Sequence, residues 1–185
     1  MNAEVQGSEP RRSLWKVPAL ITGLVLTLAM LGNRFWDGWN WEFRGFVLVG
    51  ALVFGVGLTY QLITRNVDKL AYRAAAGIAL FAAFALVWGN FIQAADDVNP
   101  AALMYLWVPI VLTIGAALAR LRPNGMTRAL FATAVAQAVV IAIVLVVRNP
   151  QVTPWTAAVL RGFGGNAVYL VLFFVSAWLF RKAAH

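Results

Sequence analysis

Three amide side chains are the polar groups best placed for chemistry inside the apolar stretches of this sequence. Asn90 lies near the end of one apolar run, Gln137 near the middle of another, and Asn166 in the upper half of the last. Polar groups in hydrocarbon are costly, so each needs a partner or a function. One hypothesis is that the three converge on a buried polar cavity that opens outward. The sequence GFGG just before Asn166 would then unwind its helix and expose backbone carbonyls.

The alternative is that these amides only hold helices together. Hydrogen bonds between membrane helices contribute about 0.6 to 2 kcal/mol each, and glycines allow the close approach that such bonds need. Suitable glycines stand at positions 50, 55, 57, 77, 162, 164 and 165. We favour this structural interpretation, and keep the cavity as the functional one.

A second candidate is an ion pair between Arg161 and the adjacent carboxylates Asp96 and Asp97. All three are expected at the outer ends of their apolar runs. The pair would either gate the cavity or hold the third and sixth runs together, and the structural role is favoured. Two adjacent carboxylates point apart on a helix, so they do not suggest paired acid–base catalysis.

Most catalytic chemistries lack their central residue. The single histidine is His185, and the chain has no cysteine, which argues against bis-histidine haem, thiolate metal sites and a Ser-His-Asp triad. No carboxylate falls in the middle of an apolar run, and no phosphate-binding glycine motif is present. We therefore assign no catalytic residue, no metal site and no cofactor.

The composition indicates lipid as the solvent. Of the 185 residues, 62% are hydrophobic and 12% charged, whereas soluble domains have about 45–50% apolar and about 25% charged residues. The net charge of +8 can indicate nucleic-acid binding. Here the basic residues are scattered at the ends of apolar runs, which is typical of membrane topology instead. No nucleic-acid partner is expected.

The apolar runs predict six transmembrane helices, because about 20 apolar residues cross the hydrocarbon core. The first is short enough to thin the bilayer and the last long enough to tilt. They cover Val17–Leu31, Gly45–Thr64, Ala74–Ala94, Ala101–Ala119, Ala129–Val147 and Ala157–Phe180. The sequence thus predicts an N-terminal tail over residues 1–16, a single membrane domain over 17–182 and a C-terminal end over 183–185.

The distribution of Lys and Arg predicts the orientation. With the N-terminus in the cytoplasm, 11 of the 15 basic residues lie inside, and the reverse topology would leave only the other four there. The positive-inside rule therefore places both termini in the cytoplasm. The four outer residues are Arg34, Arg44, Arg148 and Arg161.

Short linkers predict antiparallel hairpins. Asn99–Pro100 and Pro123-Asn124-Gly125 have turn chemistry, and Trp107-x-Pro109 predicts a kink in the fourth helix. Basic residues and prolines also recur at a spacing of 54 to 55 positions. This echo is either a tandem repeat, as in transporters, or the ordinary spacing of antiparallel hairpins, which we favour.

The segment RFWDGWNWEFR between the first two runs contains Trp36, Trp39 and Trp41. Tryptophan prefers the headgroup layer of the bilayer, so an interfacial aromatic belt is the simpler interpretation. The alternative is an aromatic pocket for a cationic or quinone-like ligand, with Asp37 or Glu42 as counter-charge.

Three sequence blocks resemble a group of uncharacterised small bacterial multi-pass membrane proteins. They are WNWEFRGFVLVGALVFGVGLTYQL, AYRAAAGIALFAAFALVWGNFIQAADDVNPAALMY and RPNGMTRALFATAVAQA. The shared features are a tryptophan-rich segment before the second span, an acidic-Asn-Pro turn and an RP-x-GM turn, over about residues 39 to 140. The resemblance implies a helical protein of the bacterial inner membrane and carries no catalytic signature. The sixth span departs from it.

These observations predict an all-α bundle of six transmembrane helices. The expected function is that of a non-enzymatic accessory or structural membrane protein. Its partners would be the lipid bilayer and either further copies of itself or a larger membrane complex. The first alternative is a small transporter or channel subunit for a neutral or weakly polar solute. A weaker one is a membrane-embedded cofactor holder or enzyme.

Overall fold

The computed structural model describes residues 14–36, 41–89, 103–148 and 157–184, without the side chains of 146–148 and 157–163. Within these ranges the chain forms helices and turns and no strand. In chain order the helices are α1 (Lys16–Phe35), α2 (Phe43–Thr64), α3 (Leu70–Val87), α4 (Trp107–Leu118), α5 (Pro123–Arg148) and α6 (Ala157–Ala183). The all-α class is therefore confirmed for the described chain.

Five of these helices are long and apolar enough to cross a membrane, the exception being α4. The expectation of a short first span is wrong, because α1 has 20 residues. It continues past Leu31 through Gly32, Asn33 and Arg34, none of which breaks the helix. At about 1.5 Å per residue, α1 spans about 30 Å, which matches the hydrocarbon core.

Helix α4 is shorter than the run Ala101–Ala119 predicted. Its 12 residues span about 18 Å, and a turn at Tyr105 and Leu106 precedes it. Pro109 therefore occupies the first turn of α4 and not its middle. A proline there removes no helical hydrogen bond, since the first N–H groups have no partner within the helix anyway.

The prediction of a turn at Pro123-Asn124-Gly125 is also wrong, since these residues form the first turn of α5. Proline is well suited to the start of a helix, where its fixed φ is already helical. The chain reverses just before, at Arg120 and Leu121, whose φ angles are 47° and 58°. This left-handed conformation costs about 1–2 kcal/mol per residue outside glycine.

The structure divides into two compact units, residues 1–58 and 59–185, with the boundary inside α2. In the first unit α1 packs against α2 through glycines. A Cβ atom at Gly50 would lie 3.2 Å from Leu26 Cδ1, and one at Gly57 would lie 3.2 Å from Pro18 Cβ. The later residue on α2, Gly57, contacts the earlier residue on α1, Pro18. The two helices are therefore antiparallel, as predicted.

In the second unit α6 packs against both α3 and α5, and α4 packs against α5. The pairs Ser176–Ala75 and Phe180–Tyr72 join α6 to α3 in antiparallel order. The α4–α5 hairpin is held closely, since a Cβ atom at Gly115 would lie 2.7 Å from Ala129 Cβ.

The core of the second unit is built from small residues on α3 and large ones on α6. A stripe of alanines on α3 is buried and allows the neighbouring backbones to approach, while the phenylalanines of α6 fill the space between helices. The buried residues concerned are Ala75, Ala76, Ala79 and Ala82 on α3, and Phe173 and Phe180 on α6. This arrangement fixes α6 as the central helix, the one that carries Asn166.

Candidate functional site

Gln137 of α5 and Asn166 of α6 form a hydrogen-bonded pair between the two helices. The Gln137 Nε2 group donates to Asn166 Oδ1 at 3.1 Å and has a longer contact of 3.4 Å with the Asn166 backbone oxygen. Gln137 is fully buried (0% exposed), whereas Asn166 is half-buried. The structure thus brings together two of the three amides that the sequence singled out.

One acceptor of this pair remains unused. Gln137 Oε1 is buried and has no hydrogen-bond partner among the described residues. Thr133, one turn earlier on α5, is also fully buried, but its hydroxyl donates to Ala129 O at 2.8 Å within its own helix. Thr133 therefore does not contribute to the pair. A polar ligand with an N–H or O–H group could donate to the unpaired Gln137 Oε1 atom.

The expected unwinding of α6 at GFGG is wrong. The helix runs without interruption from Ala157 to Ala183, so the backbone carbonyls of the motif are not released for a ligand. Gly164 and Gly165 face open space, with no atom within 4 Å of a Cβ built there. They, like Gly55, do not provide the close approach expected of them.

A second buried hydrogen bond, which the sequence did not single out, joins α6 to α3. The Ser176 hydroxyl donates to Ala75 O at 2.8 Å, and Ser176 is fully buried. A lone serine in an apolar helix is common, so its type alone gave no signal. Asn166 and Ser176 are ten positions apart on α6, which turns them about 80° from each other. One helix therefore binds two neighbours through two polar groups.

The other candidate polar residues are not all described. Asn90, Asp96 and Asp97 lie outside the described residues, and so does the side chain of Arg161, whose backbone belongs to α6. The proposed ion pair and the third amide stay predictions. The ion pair was expected to join the third and sixth spans. Among the described residues, these spans are joined by the Ser176 hydrogen bond and by the Tyr72 ring contact.

The tryptophan-rich segment is described at Trp36 and Trp41, whereas Trp39 and Asp37 lie outside the described residues. Trp36 is 72% exposed. Trp41 is half-buried, packs edge-on against Phe46 at 5.6 Å between ring centroids, and donates its backbone N–H to Asn33 Oδ1 at 2.8 Å. Asn33 thus ties the end of α1 to the start of the next helix.

The described part of the segment fits the interfacial interpretation, while a ligand pocket that includes Trp39 and Asp37 stays a prediction. Glu42, the described candidate counter-charge, is exposed. Elsewhere Trp15, Trp107 and Trp178 are each more than half exposed, as expected for side chains that lie in a headgroup layer. In the second unit the Lys182 ammonium lies over the Trp178 ring at 5.6 Å, which suits an interface between lipid and water.

No group of three or more metal-ligating side chains occurs among the described residues. In comparisons with protein families, characterised proteins and solved structures, no family, protein or structure matches this chain.

Proposed function

We propose that this chain is a non-enzymatic accessory or structural protein of the bacterial inner membrane, with both termini in the cytoplasm. Its second unit would serve as a rigid helical scaffold, and its exposed apolar surfaces would meet lipid and partner helices. Five helices of sufficient length and apolarity support the membrane part of this proposal.

The observation that carries the proposal is how the buried polar groups of the second unit are used. Gln137 and Ser176 make hydrogen bonds from one helix to another, and Thr133 bonds its own helix. The two bonds between helices stabilise the bundle by about 0.6 kcal/mol each, up to about 1.7. They leave Gln137 Oε1 as the one buried side-chain acceptor without a partner in the described part of this unit.

The orientation is supported by charge. The α2–α3 linker, the α4–α5 loop and the end of α6 meet at one end of the second unit, where Lys69 Nζ donates to Ala183 O at 3.0 Å and the Tyr72 hydroxyl to Leu121 O at 2.8 Å. Eight basic residues belong to these segments and their adjoining turns: Arg65, Lys69, Arg73, Arg120, Arg122, Arg128, Arg181 and Lys182. The positive-inside rule directs this end to the cytoplasm.

Native mass spectrometry of protein extracted gently in lipid nanodiscs tests the accessory role. We expect the chain to be found with further copies of itself or with another membrane protein, at fixed stoichiometry. In parallel, liposomes that contain the purified chain should pass neutral solutes no faster than empty liposomes. A lone chain that conducts solute would contradict the proposal, and a bound quinone or pigment would favour the cofactor-holding alternative.

The second candidate function is a small transporter or channel subunit for a neutral or weakly polar solute. The unpaired Gln137 Oε1 beside Asn166 favours it, since a solute donor could complete this acceptor. Replacing Gln137 by Leu removes the acceptor without changing the side-chain volume greatly. If Gln137→Leu abolishes solute uptake by a folded protein, transport is the function; unchanged uptake removes Gln137 from any solute path.

A further inference from the structure

A cavity of about 770 Å³, open to the surface, lies at the basic end of the second unit, between the α2–α3 linker, the α4–α5 loop and the end of α6. Small-molecule sites in proteins usually have about 300–1,000 Å³, so this space can hold a ligand of that size. Its polar lining consists of four side chains, those of Lys69, Tyr72, Arg122 and Asn124. We call this space the basic cavity.

The basic cavity has positive charge and no compensating carboxylate in its lining. Lys69 and Arg122 are both exposed at its wall. The Lys69 ammonium has three N–H donors and gives one to Ala183 O, so two remain for a ligand. Asp68 is the only carboxylate among the described residues of the second unit, and it does not line the cavity.

The wall of the basic cavity that carries Arg122 is held rigidly. Arg120 and Leu121 have left-handed φ angles of 47° and 58°, a conformation costly for residues with a side chain. The Tyr72 hydroxyl donates to Leu121 O at 2.8 Å, and the Arg122 N–H donates to Ala119 O at 3.0 Å. Strained backbone of this kind is concentrated at ligand clamps and other functional sites.

The packing behind this wall is close. A Cβ atom at Gly125 would lie 2.7 Å from Ala119 Cβ and 2.9 Å from Ala119 Cα, so the start of α5 touches the end of α4. Arg122, directly before α5, is therefore presented from a fixed backbone. A guanidinium that starts from a fixed backbone position can match the oxygens of an anion with paired hydrogen bonds.

We infer that the basic cavity binds a phosphate-bearing anion, with Arg122 making paired hydrogen bonds to phosphate oxygens and Lys69 adding a second positive charge. Guanidinium groups match the geometry of phosphate, whereas ammonium groups act as point charges. Basic pockets between membrane helices on the cytoplasmic side bind anionic lipid headgroups in this way. The same chemistry would hold free inorganic phosphate.

The test uses the full chain in mild detergent and native mass spectrometry at physiological salt, with phosphatidylglycerol as the anionic probe and phosphatidylcholine as the zwitterionic one. We expect phosphatidylglycerol to bind more tightly than phosphatidylcholine. Arg122→Gln should weaken phosphatidylglycerol binding by about tenfold, as for the loss of a hydrogen bond to a charged group. Lys69→Gln combined with Arg122→Gln should weaken it further.

The matched control is the pair Arg73→Gln and Arg128→Gln, which removes the same two charges from exposed positions that do not line the cavity. Because Arg73 and Arg128 do not line the cavity and so cannot bond a ligand in it, we expect this pair to change binding by no more than about twofold. An equal loss in the cavity pair and the control pair would overturn the inference. So would unchanged binding to Arg122→Gln, a variant that breaks no described side-chain contact and should fold normally.

A second arm identifies the source of the phosphate. Sodium phosphate is added to one sample of the lipid-bound protein. A control sample receives sodium chloride at the same ionic strength. If phosphate displaces phosphatidylglycerol, and Arg122→Gln reduces this displacement, the ligand is free phosphate. If phosphatidylglycerol stays bound, the ligand is the lipid headgroup. Equal binding of phosphatidylcholine and phosphatidylglycerol would contradict the requirement for an anion.

Discussion

Removal of Asn166 should destabilise the protein more than removal of Gln137, although the two share one hydrogen bond. Asn166→Ala deletes the acceptor that lies 3.1 Å from Gln137 Nε2. It leaves a fully buried amide whose Oε1 is already unpaired, with only the 3.4 Å contact to the backbone oxygen of residue 166. A buried donor without a partner costs about 1–3 kcal/mol, and the remaining 3.4 Å bond offsets part of this cost. The higher helix propensity of alanine offsets about 0.5 kcal/mol, so we expect a loss of about 1–2 kcal/mol.

Gln137→Leu removes the buried donor and the unpaired acceptor together. The remaining Asn166 is half-buried and can turn to another partner, while leucine fills a similar volume with apolar groups. Removing one partner of a hydrogen bond is costly when the other partner is left fully buried. Gln137→Leu leaves only the half-buried Asn166, so the cost is smaller than for Asn166→Ala. We therefore expect Gln137→Leu to change the free energy of unfolding by less than about 1 kcal/mol.

Unfolding by increasing SDS in mixed micelles, followed by circular dichroism, measures both variants on one scale. Gly164→Ala serves as the control on α6, because nothing lies within 4 Å of a Cβ there. Alanine should stabilise the helix by about 0.5–1 kcal/mol at that position. If Gln137→Leu proves more destabilising than Asn166→Ala, then Gln137 Oε1 has a partner and the asymmetry argued from its burial is wrong.

Three further variants test the packing of the second unit in the same titration. Ser176→Ala should cost about 0.6 kcal/mol, the usual value of a hydrogen bond between membrane helices, because the bond to Ala75 O is lost; no change would mean that α6 and α3 pack without it. Gly115→Ala should cost about 1–3 kcal/mol, since its Cβ would lie 2.7 Å from Ala129 Cβ, and stabilisation would show that α4 can move away. Tyr72→Phe should cost about 1 kcal/mol, because it keeps the ring against Phe180 and loses only the bond to Leu121 O; an unchanged protein would show that the left-handed turn is held by other contacts.

The helical class and most helix positions follow from the sequence because apolar length is a strong signal. The ends of the helices were harder to predict. Hydropathy alone ended the first helix at Leu31, although Asn33 and Arg34 continue it. Conversely, the sequence around Pro123 predicts a turn, yet Pro123 opens α5. The helix end predicted too early and the helix start that was missed have the same cause. Polar and turn-forming residues are also common within the first and last turns of helices.

The polar contacts could be predicted only in part. Gln137 and Asn166 stand out in the sequence because amides are rare and costly in apolar helices, and the structure pairs them. Ser176, Asn33 and the left-handed pair Arg120–Leu121 do not, since their roles depend on a neighbouring helix or turn brought close by the fold. The central position of α6 likewise depends on contacts between residues about a hundred positions apart, which periodicity does not reveal.

The central claim is that these helices cross a bilayer with the basic end in the cytoplasm. Site-directed labelling of single cysteines tests this claim most directly. The chain contains no cysteine, so Glu42→Cys and Asn124→Cys, both at exposed positions, each provide one thiol. With a membrane-impermeant maleimide, we expect the cysteine at position 42 to react in intact spheroplasts and that at 124 only after permeabilisation. The opposite pattern, or reaction of both positions before permeabilisation, would contradict the account.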